Sequence, residues 1–428
     1  MNNLKNTFIV STALMLEWLE FGMYGYAGVY LSKTFFSHST ITQGYFFVFA
    51  IFAISYFMRP IGGVIISHFS DKYGRLRAIK GCVALMSIPL LVIAILPGYN
   101  DWGSISCFVL LFARMLQGFS LGGQITGALV LISESALPEN RSLLVSFAVS
   151  AQQLGVCLAG FMISFSSLFF TAHNFQSYGW RLGFILCFIT AIVSYKLLNQ
   201  AIESIYFKNI ENKNKILDYP VLGCLKKDYL GMLRVIILLA FAGVTYFMVS
   251  VYMMNHFIVI NDIKQKYTPI SIIFMTTLAT IPAIILPPFI GSLCDKIGRK
   301  PLLFLSTTLI TIAMPFFFYI SNEHNLLSFI ISTSIMLSLN VIFMVASQTY
   351  FTEIFPTKYR HSALALSCNV AQAFFAGITP ILSFYLSNRF GDFAPSYYFY
   401  IIAMITFLTC FFLVETKTEN AFETILVK

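Results

Sequence analysis

The 428-residue chain reads as an all-α integral membrane protein, with twelve transmembrane helices in two pseudo-symmetric six-helix halves. Composition, twelve apolar runs and a pair of repeated charged signatures carry that reading. Hydrophobic residues make up 58%, charged residues 11%, and the mean hydropathy is +0.79. A soluble domain has about 45–50% apolar and roughly 25% charged residues, so this chain could not coat a globular surface. The same figures exclude disorder, a collagen-like repeat and a disulfide scaffold.

Apolar runs near the ~20 residues that cross a bilayer fall at 8–31, 43–67, 78–97, 105–132, 142–169 and 180–199. A polar stretch from Gln200 to Asp228 follows. Six further runs lie at 231–260, 269–292, 302–320, 326–351, 362–387 and 396–414. An unpaired backbone group in lipid costs several kcal/mol, so spans are helices or a closed barrel, and runs of this length with little alternation mean helices. The expected division is an N-terminal half (1–199), a cytoplasmic linker (200–228) and a C-terminal half (229–428). The first run continues straight on from Lys5 at spanning length, so no separable signal peptide is expected.

Orientation follows from the short loops. With the N-terminus inside, 20 Lys and Arg fall on the cytoplasmic side and five (Lys33, Arg181, Lys264, Lys266, Arg389) on the other. Both termini are therefore expected in the cytoplasm. The net charge of +9 is an orientation signal rather than a nucleic-acid footprint. The eight cysteines are dispersed, without a CxxC or a Cys/His cluster, so neither a metal site nor a disulfide is expected.

The chain repeats itself across its centre. Asp71-Lys72-Tyr73-Gly74-Arg75 follows helix 2 and Asp295-Lys296-Ile297-Gly298-Arg299 follows helix 8, their aspartates 224 positions apart. Glu134 precedes Arg141 by seven residues and Glu353 precedes Arg360 by seven, each pair spanning a proline, at an offset of 219. Two unrelated signatures at nearly one offset mark a duplication, as in transporters built from repeats.

These residues carry a resemblance. The D-K-x-G-R elements, with Gly291 four residues before Asp295, resemble the loop signature of the major facilitator superfamily, as does Arg114-x-x-Gln117-Gly118-x-x-x-Gly122-Gly123 in helix 4. Glu17-Trp18-Leu19-Glu20-Phe21 and Arg59-Pro60-Ile61-Gly62-Gly63 resemble its metabolite:proton symporter branch. Thr245-Tyr246-Phe247-Met248, Phe355-Pro356-Thr357 and Ser362-Ala363-Leu364-Ala365 are similar to the proline/betaine transporters within it. The resemblance implies a proton-coupled importer of a small zwitterion, without cofactor and driven by the proton gradient. It also implies a functional monomer in the bacterial inner membrane, whose partners are substrate, protons and lipid. In this chain Glu20 stands for the family's Asp, Gln124 for a Glu and Ser67 for a Gly. The short tail after helix 12, without a coiled-coil extension, argues against osmotic self-regulation.

Charges inside lipid cost about 2.5–3.5 kcal/mol on insertion scales and mark function. Four stand out: Glu17, Glu20, Arg59 and Arg114, all near mid-membrane by helix rise. Glu17 and Glu20 share a helix face that continues to Tyr24. Two acids one turn apart suit a proton carrier, with Glu20 first and Glu17 its partner, although a static salt bridge uses the same residues. Arg114 could hold a substrate carboxylate by a bidentate contact or neutralise a Glu. Gln117 and Gln124 are expected to line a central cavity with Arg59, Arg114 and Tyr24, while Asn340, Asn369 and Gln372 could line it or bond across helices. Tyr246 and Tyr252 could bind a quaternary ammonium by cation–π attraction, or serve packing alone, and His256 belongs near the outer interface. The glycines of helix 4, through Gly127, read as close helix packing.

Asp71, Gly74, Arg75, Glu134, Arg141, Asp295, Gly298, Arg299, Glu353 and Arg360 read as a cytoplasmic gate, Asp71 and Asp295 bonding Arg141 and Arg360 when the inner side is shut. No G-x-x-x-x-G-K-[ST] loop supports an ATP-driven pump, and no nucleophile or metal constellation supports an enzyme. A drug/proton antiporter would carry a Gly-Pro in helix 5, which Gln152-Gln153-Leu154-Gly155 and its continuation lack. An organic acid such as 2-oxoglutarate, another amino acid, or exchange instead of symport stay open.

Overall fold

A computed structural model describes residues 2–203, 220–258, 267–322, 325–357 and 359–417. Most of the expected linker (204–219) and the C-terminal residues 418–428 lie outside the described residues, as do Lys264 and Lys266. The N-terminal half contains α1 (Asn2–Phe35), α2 (Gln43–Tyr73), α3 (Arg75–Ile95), α4 (Ser104–Ser135), α5 (Pro138–Ser167) and α6 (Arg181–Leu198). The C-terminal half contains α7 (Tyr229–Ile258), α8 (Pro269–Ile297), α9 (Arg299–Ser321), α10 (Leu326–Glu353), α11 (Arg360–Phe390) and α12 (Ala394–Phe411).

Among the described residues, eleven of these helices are long and apolar enough to cross a membrane on length and composition alone. The twelfth, α1, has 34 residues and interrupts its apolar run with Glu17 and Glu20, both buried. Polar groups on a helix that faces protein rather than lipid do not prevent it from spanning.

Helix pairing displays the duplication. In the first half α1 packs on α5, α2 on α4 and α3 on α6; in the second, α7 packs on α11, α8 on α10 and α9 on α12. The halves meet along two matching seams, α5 on α8 and α2 on α11. Large apolar side chains such as Phe108 and Phe112 on α4, Phe289 on α8, Phe316 on α9 and Met404 on α12 point outward and stay exposed. A bilayer would cover them.

Glycines bring α2 and α4 into backbone contact. A Cβ on Gly118 would run into the Ser55 carbonyl, and one on Gly62 into the Phe119 carbonyl. The repeated signatures use glycine differently. Gly74 (φ 111°) and Gly298 (φ 101°) adopt positive φ, end α2 and α8 by donating to Ser70 O and Cys294 O, and let α3 and α9 start at once. The D-K-x-G-R elements are thus a helix end and a helix start rather than solvated loops. Asp71, Arg75 and Arg299 are all buried.

Several helices change geometry near the centre. α4 breaks at Gly122-Gly123, α7 carries a π-turn at Met248–Met253, α8 turns at Thr280 and α11 carries a π-turn at Gln372–Ala376. Such interruptions mark functional hinges more often than regular helix does.

Candidate functional site

The four intramembrane charges form two separate pairs. Arg59 on α2 places Nη2 3.1 Å from Glu17 Oε1 on α1. Its Nη1 donates to Gln372 Oε1 on α11, and its guanidinium lies 4.4 Å from the centre of the Tyr56 ring. Arg114 on α4 donates to Glu20 Oε1 and, at 2.8 Å, to Gln117 Oε1, and sits 4.1 Å over the Tyr24 ring. Arg114 therefore neutralises a glutamate, one of the two roles its position allowed.

The pairs differ in what they border. A cavity of about 50 Å³ lies between the halves. Glu17, Arg59, Gln372 and Tyr246 line it, with Trp18, Phe21, Tyr56, Phe247, Gln152 and Gln348. Glu20, Arg114, Gln117 and Tyr24 are not among its lining residues; they form a buried cluster behind the Glu17 pair. The order expected of the two acids is thereby reversed in exposure to the site. One helical turn separates them, and the cavity wall passes between.

Other expected cavity residues fall elsewhere. Gln124 donates to Ala13 O at 2.7 Å, Asn340 donates to Ala242 O at 3.2 Å and Asn369 donates to Gly122 O, each bonding one helix to another. Tyr252 lies further out, its ring 5.2 Å from Phe384 and 5.5 Å from His256. Phe49 of α2 stacks on Phe384 of α11 at 5.5 Å, an aromatic closure of one seam. His256 reaches Asp392 at 3.7 Å.

At the opposite end the charged signatures close the bundle, with partners other than those expected. Asp71 and Asp295 do not pair with Arg141 and Arg360. Asp71 accepts from Ser362 N and Oγ (3.1 and 2.6 Å) at the start of α11, and Asp295 accepts from Ser142 N and Leu143 N (3.0 Å each) at the start of the α-helical run of α5. Each aspartate thus caps a helix of the other half, where free N–H groups and the helix dipole favour an anion. The arginines cross over to glutamates: Arg141 to Glu353 at 3.2 Å, and Arg360 to Glu134 at 3.0 Å. Each of these arginines thus reaches a glutamate of the other half. Arg299 binds Glu353 through Nε and Nη2 (3.0 and 2.7 Å), while Arg75 lies 3.4 Å from Asp71 and 3.8 Å from Glu134. His361 adds neutral contacts across the seam, its Nδ1 2.7 Å from Ser70 Oγ and its Nε2 3.0 Å from Thr126 Oγ1.

Sequence reading missed two further acids. Glu203 after α6 accepts from Leu76 N at 3.0 Å, and Glu415 after α12 accepts from Arg299 N and Lys300 N at 2.9 Å each. They cap α3 and α9. Their signal was present as Glu203-Ser204 and Glu415-Thr416, 212 positions apart. Beside this layer, Tyr359 donates to Asp228 Oδ2; burial and that carboxylate push its phenol up from the ordinary range.

Comparison with known proteins agrees with this architecture. The family model for the sugar (and other) transporters matches residues 6–219, and that for the major facilitator superfamily matches residues 230–425. A putative proline/betaine transporter of Staphylococcus haemolyticus is 30% identical over 411 residues, covering 94% of this chain and 86% of that protein. The proline/betaine transporter of Salmonella typhimurium is 28% identical, covering 94% and 82%. Among solved structures, the proton:xylose symporter XylE bound to 6-bromo-6-deoxy-D-glucose superposes with a TM-score of 0.79 over 99% of each chain, at 18% identity. With its two matched six-helix halves, its duplicated charged layer and these relatives, the chain belongs to the major facilitator superfamily, and is a multi-pass membrane transporter rather than an enzyme.

Proposed function

We propose that this transporter imports a small organic zwitterion of the proline or betaine class by proton symport, alternating access between the two sides of the bacterial cytoplasmic membrane. The excess of Lys and Arg in one set of loops supports cytoplasmic termini, and the named substrates of the relatives support the substrate class. One observation carries the coupling: Glu17 and Arg59 are paired on the wall of the cavity. No hydrogen-bond donor among the described residues reaches Glu17 Oε2.

A proton on Glu17 cancels the charge that holds Arg59. The guanidinium, still anchored by Gln372 and the Tyr56 ring, is then free to bind a carboxylate in the cavity. Trp18 and Tyr246, with ring centres 4.9 Å apart on the same wall, offer aromatic faces to the cationic end of a zwitterion. Rocking of the halves about this site then exposes it to the other side, where loss of the proton restores the Glu17–Arg59 pair and expels the carboxylate.

The test is uptake by proteoliposomes under an imposed proton gradient, against a panel of labelled zwitterions and organic acids, with and without protonophore. Accumulation of proline or betaine that protonophore abolishes is the expected result. Uptake of a dicarboxylate alone would overturn the substrate class, and protonophore-insensitive accumulation would overturn the coupling.

A further inference from the structure

Gln152 on α5 and Gln348 on α10 face each other across the boundary between the halves. Gln152 Nε2 donates to Gln348 Oε1 at 3.2 Å, and Gln348 Nε2 donates back to Gln152 Oε1 at 3.1 Å. Both side chains are buried and both line the central cavity. A primary amide carries donor and acceptor together, so two of them close a ring that needs no charge and no third group.

The duplication does not impose this pair. Gln152 and Gln372 are 220 positions apart, the offset of the repeated signatures, but Gln372 binds Arg59. The stretch of α4 that corresponds to Gln348 is Ala128-Leu129, which has no polar side chain. The reciprocal amide ring is therefore a feature of one seam, built at the cavity.

We propose that the Gln152–Gln348 pair enables the carrier to close around its central site without substrate. The inference rests on the transport reading above. Net uptake requires the halves to close twice per cycle, once around a solute and once on the way back. The return closure dehydrates the polar groups lining the site, and a buried amide without a partner opposes it. Here each amide supplies the other's partner, so return of the unloaded carrier leaves neither unpaired. Exchange of internal for external solute never uses that closure. The pair thus acts as a positioning device for the return step, not as a substrate contact.

The experiment uses Gln152→Met, Gln348→Met and the double variant. Methionine removes the amide while keeping an unbranched chain of similar length. In a cysteine-free background, probes at Ser67→Cys on the inner part of α2 and Val48→Cys on its outer part report opening toward either side; both wild-type positions are buried. Without substrate, each single variant should raise labelling at one of the two probes roughly tenfold, the effect of one unpaired buried amide. The double variant, with no amide left to satisfy, should return to the wild-type level. In proteoliposomes each single variant should slow net uptake more than it slows exchange, and the double should regain net uptake. Residual exchange also shows that the variants are folded.

Unchanged labelling in both single variants overturns the inference, as does a double variant more open than either single. Equal loss of exchange and net uptake in the singles overturns it in favour of direct substrate contact. A wild-type carrier that moves none of the zwitterions overturns the transport reading instead, while the labelling still decides the role of the pair.

Discussion

Glu17→Gln removes the titratable group at the cavity wall while keeping its length and one acceptor. The amide oxygen of the introduced side chain can still accept from Arg59, whose other contacts, to Gln372 and the Tyr56 ring, are untouched. The variant therefore imitates the protonated carrier. One proton entering down about 100 mV and about one pH unit supplies about 3.7 kcal/mol, enough to concentrate an electroneutral zwitterion several hundred-fold. If Glu17 carries that proton, the ratio in Glu17→Gln should collapse to about one, since nothing couples the zwitterion to either gradient. Exchange should persist, and substrate binding should lose its pH dependence, because Arg59 is then permanently free of a competing anion. The assay is accumulation and exchange of the same labelled zwitterion in one batch of proteoliposomes. Protonophore-sensitive accumulation in Glu17→Gln would sink the assignment. If Glu20→Gln abolished accumulation but kept exchange, the buried Arg114 cluster would be the coupling site instead.

Glu20→Gln should behave differently, because the Glu20–Arg114 pair does not line the cavity, and Arg114 would lose its anion with no cavity water or substrate carboxylate to replace it. Breaking such a pair costs about 3–5 kcal/mol, visible as a lower melting midpoint in detergent and poorer expression, with exchange and accumulation reduced together. Glu353→Gln withdraws the charge shared by Arg141 and Arg299; a cysteine at Ser67 should then label faster from the cytoplasmic side, and unchanged labelling would refute the gate. Gly74→Ala places a Cβ at φ 111°, a strain of about 1–3 kcal/mol, and should lower the melting midpoint more than Gly81→Ala, where nothing crowds the new methyl. A reporter inserted near Gly98 should be accessible from outside and one fused after Lys428 from inside; the reverse pattern would overturn the orientation.

The spans were legible because lipid imposes a continuous apolar requirement that few sequences meet by accident. α1 shows the limit of that signal, since Glu17 and Glu20 dilute its run although the helix is 34 residues long. The intramembrane charges were legible as candidates for the site for the converse reason, their cost in lipid. Which of the two acids borders the cavity was not, because the answer depends on how α1 is rotated against α2 and α4. The gate residues were legible as a repeated pattern, while their partners were not. The expected pairing of Asp71 and Asp295 with Arg141 and Arg360 gives way to helix caps for the aspartates and to Arg141–Glu353 and Arg360–Glu134 across the halves, contacts that depend on how the halves meet. Gln152 and Gln348 carried no signal, since an uncharged amide in a membrane helix serves packing as readily as a site.

The pairs across the halves also bear on how the charged layer can open. Within this layer the first half contributes Arg75, Arg141, Asp71 and Glu134, and the second Arg299, Arg360, Asp295 and Glu353, so each half is neutral by itself. Some pairs are internal to a half: Arg75 with Asp71 and Glu134, and Arg299 with Asp295 and Glu353. These survive separation of the halves. Separation breaks Arg141–Glu353, Arg360–Glu134, the hydrogen bond from Arg75 to Thr357 O and the two aspartate caps on the opposite helices. The acids then retain a guanidinium of their own half. Losing a buried partner is severe only when the remaining charge stays buried. A layer built in this way holds this end of the bundle shut by several contacts at once, and on the transport reading proposed above each half would keep its internal ion pairs whenever the layer opened.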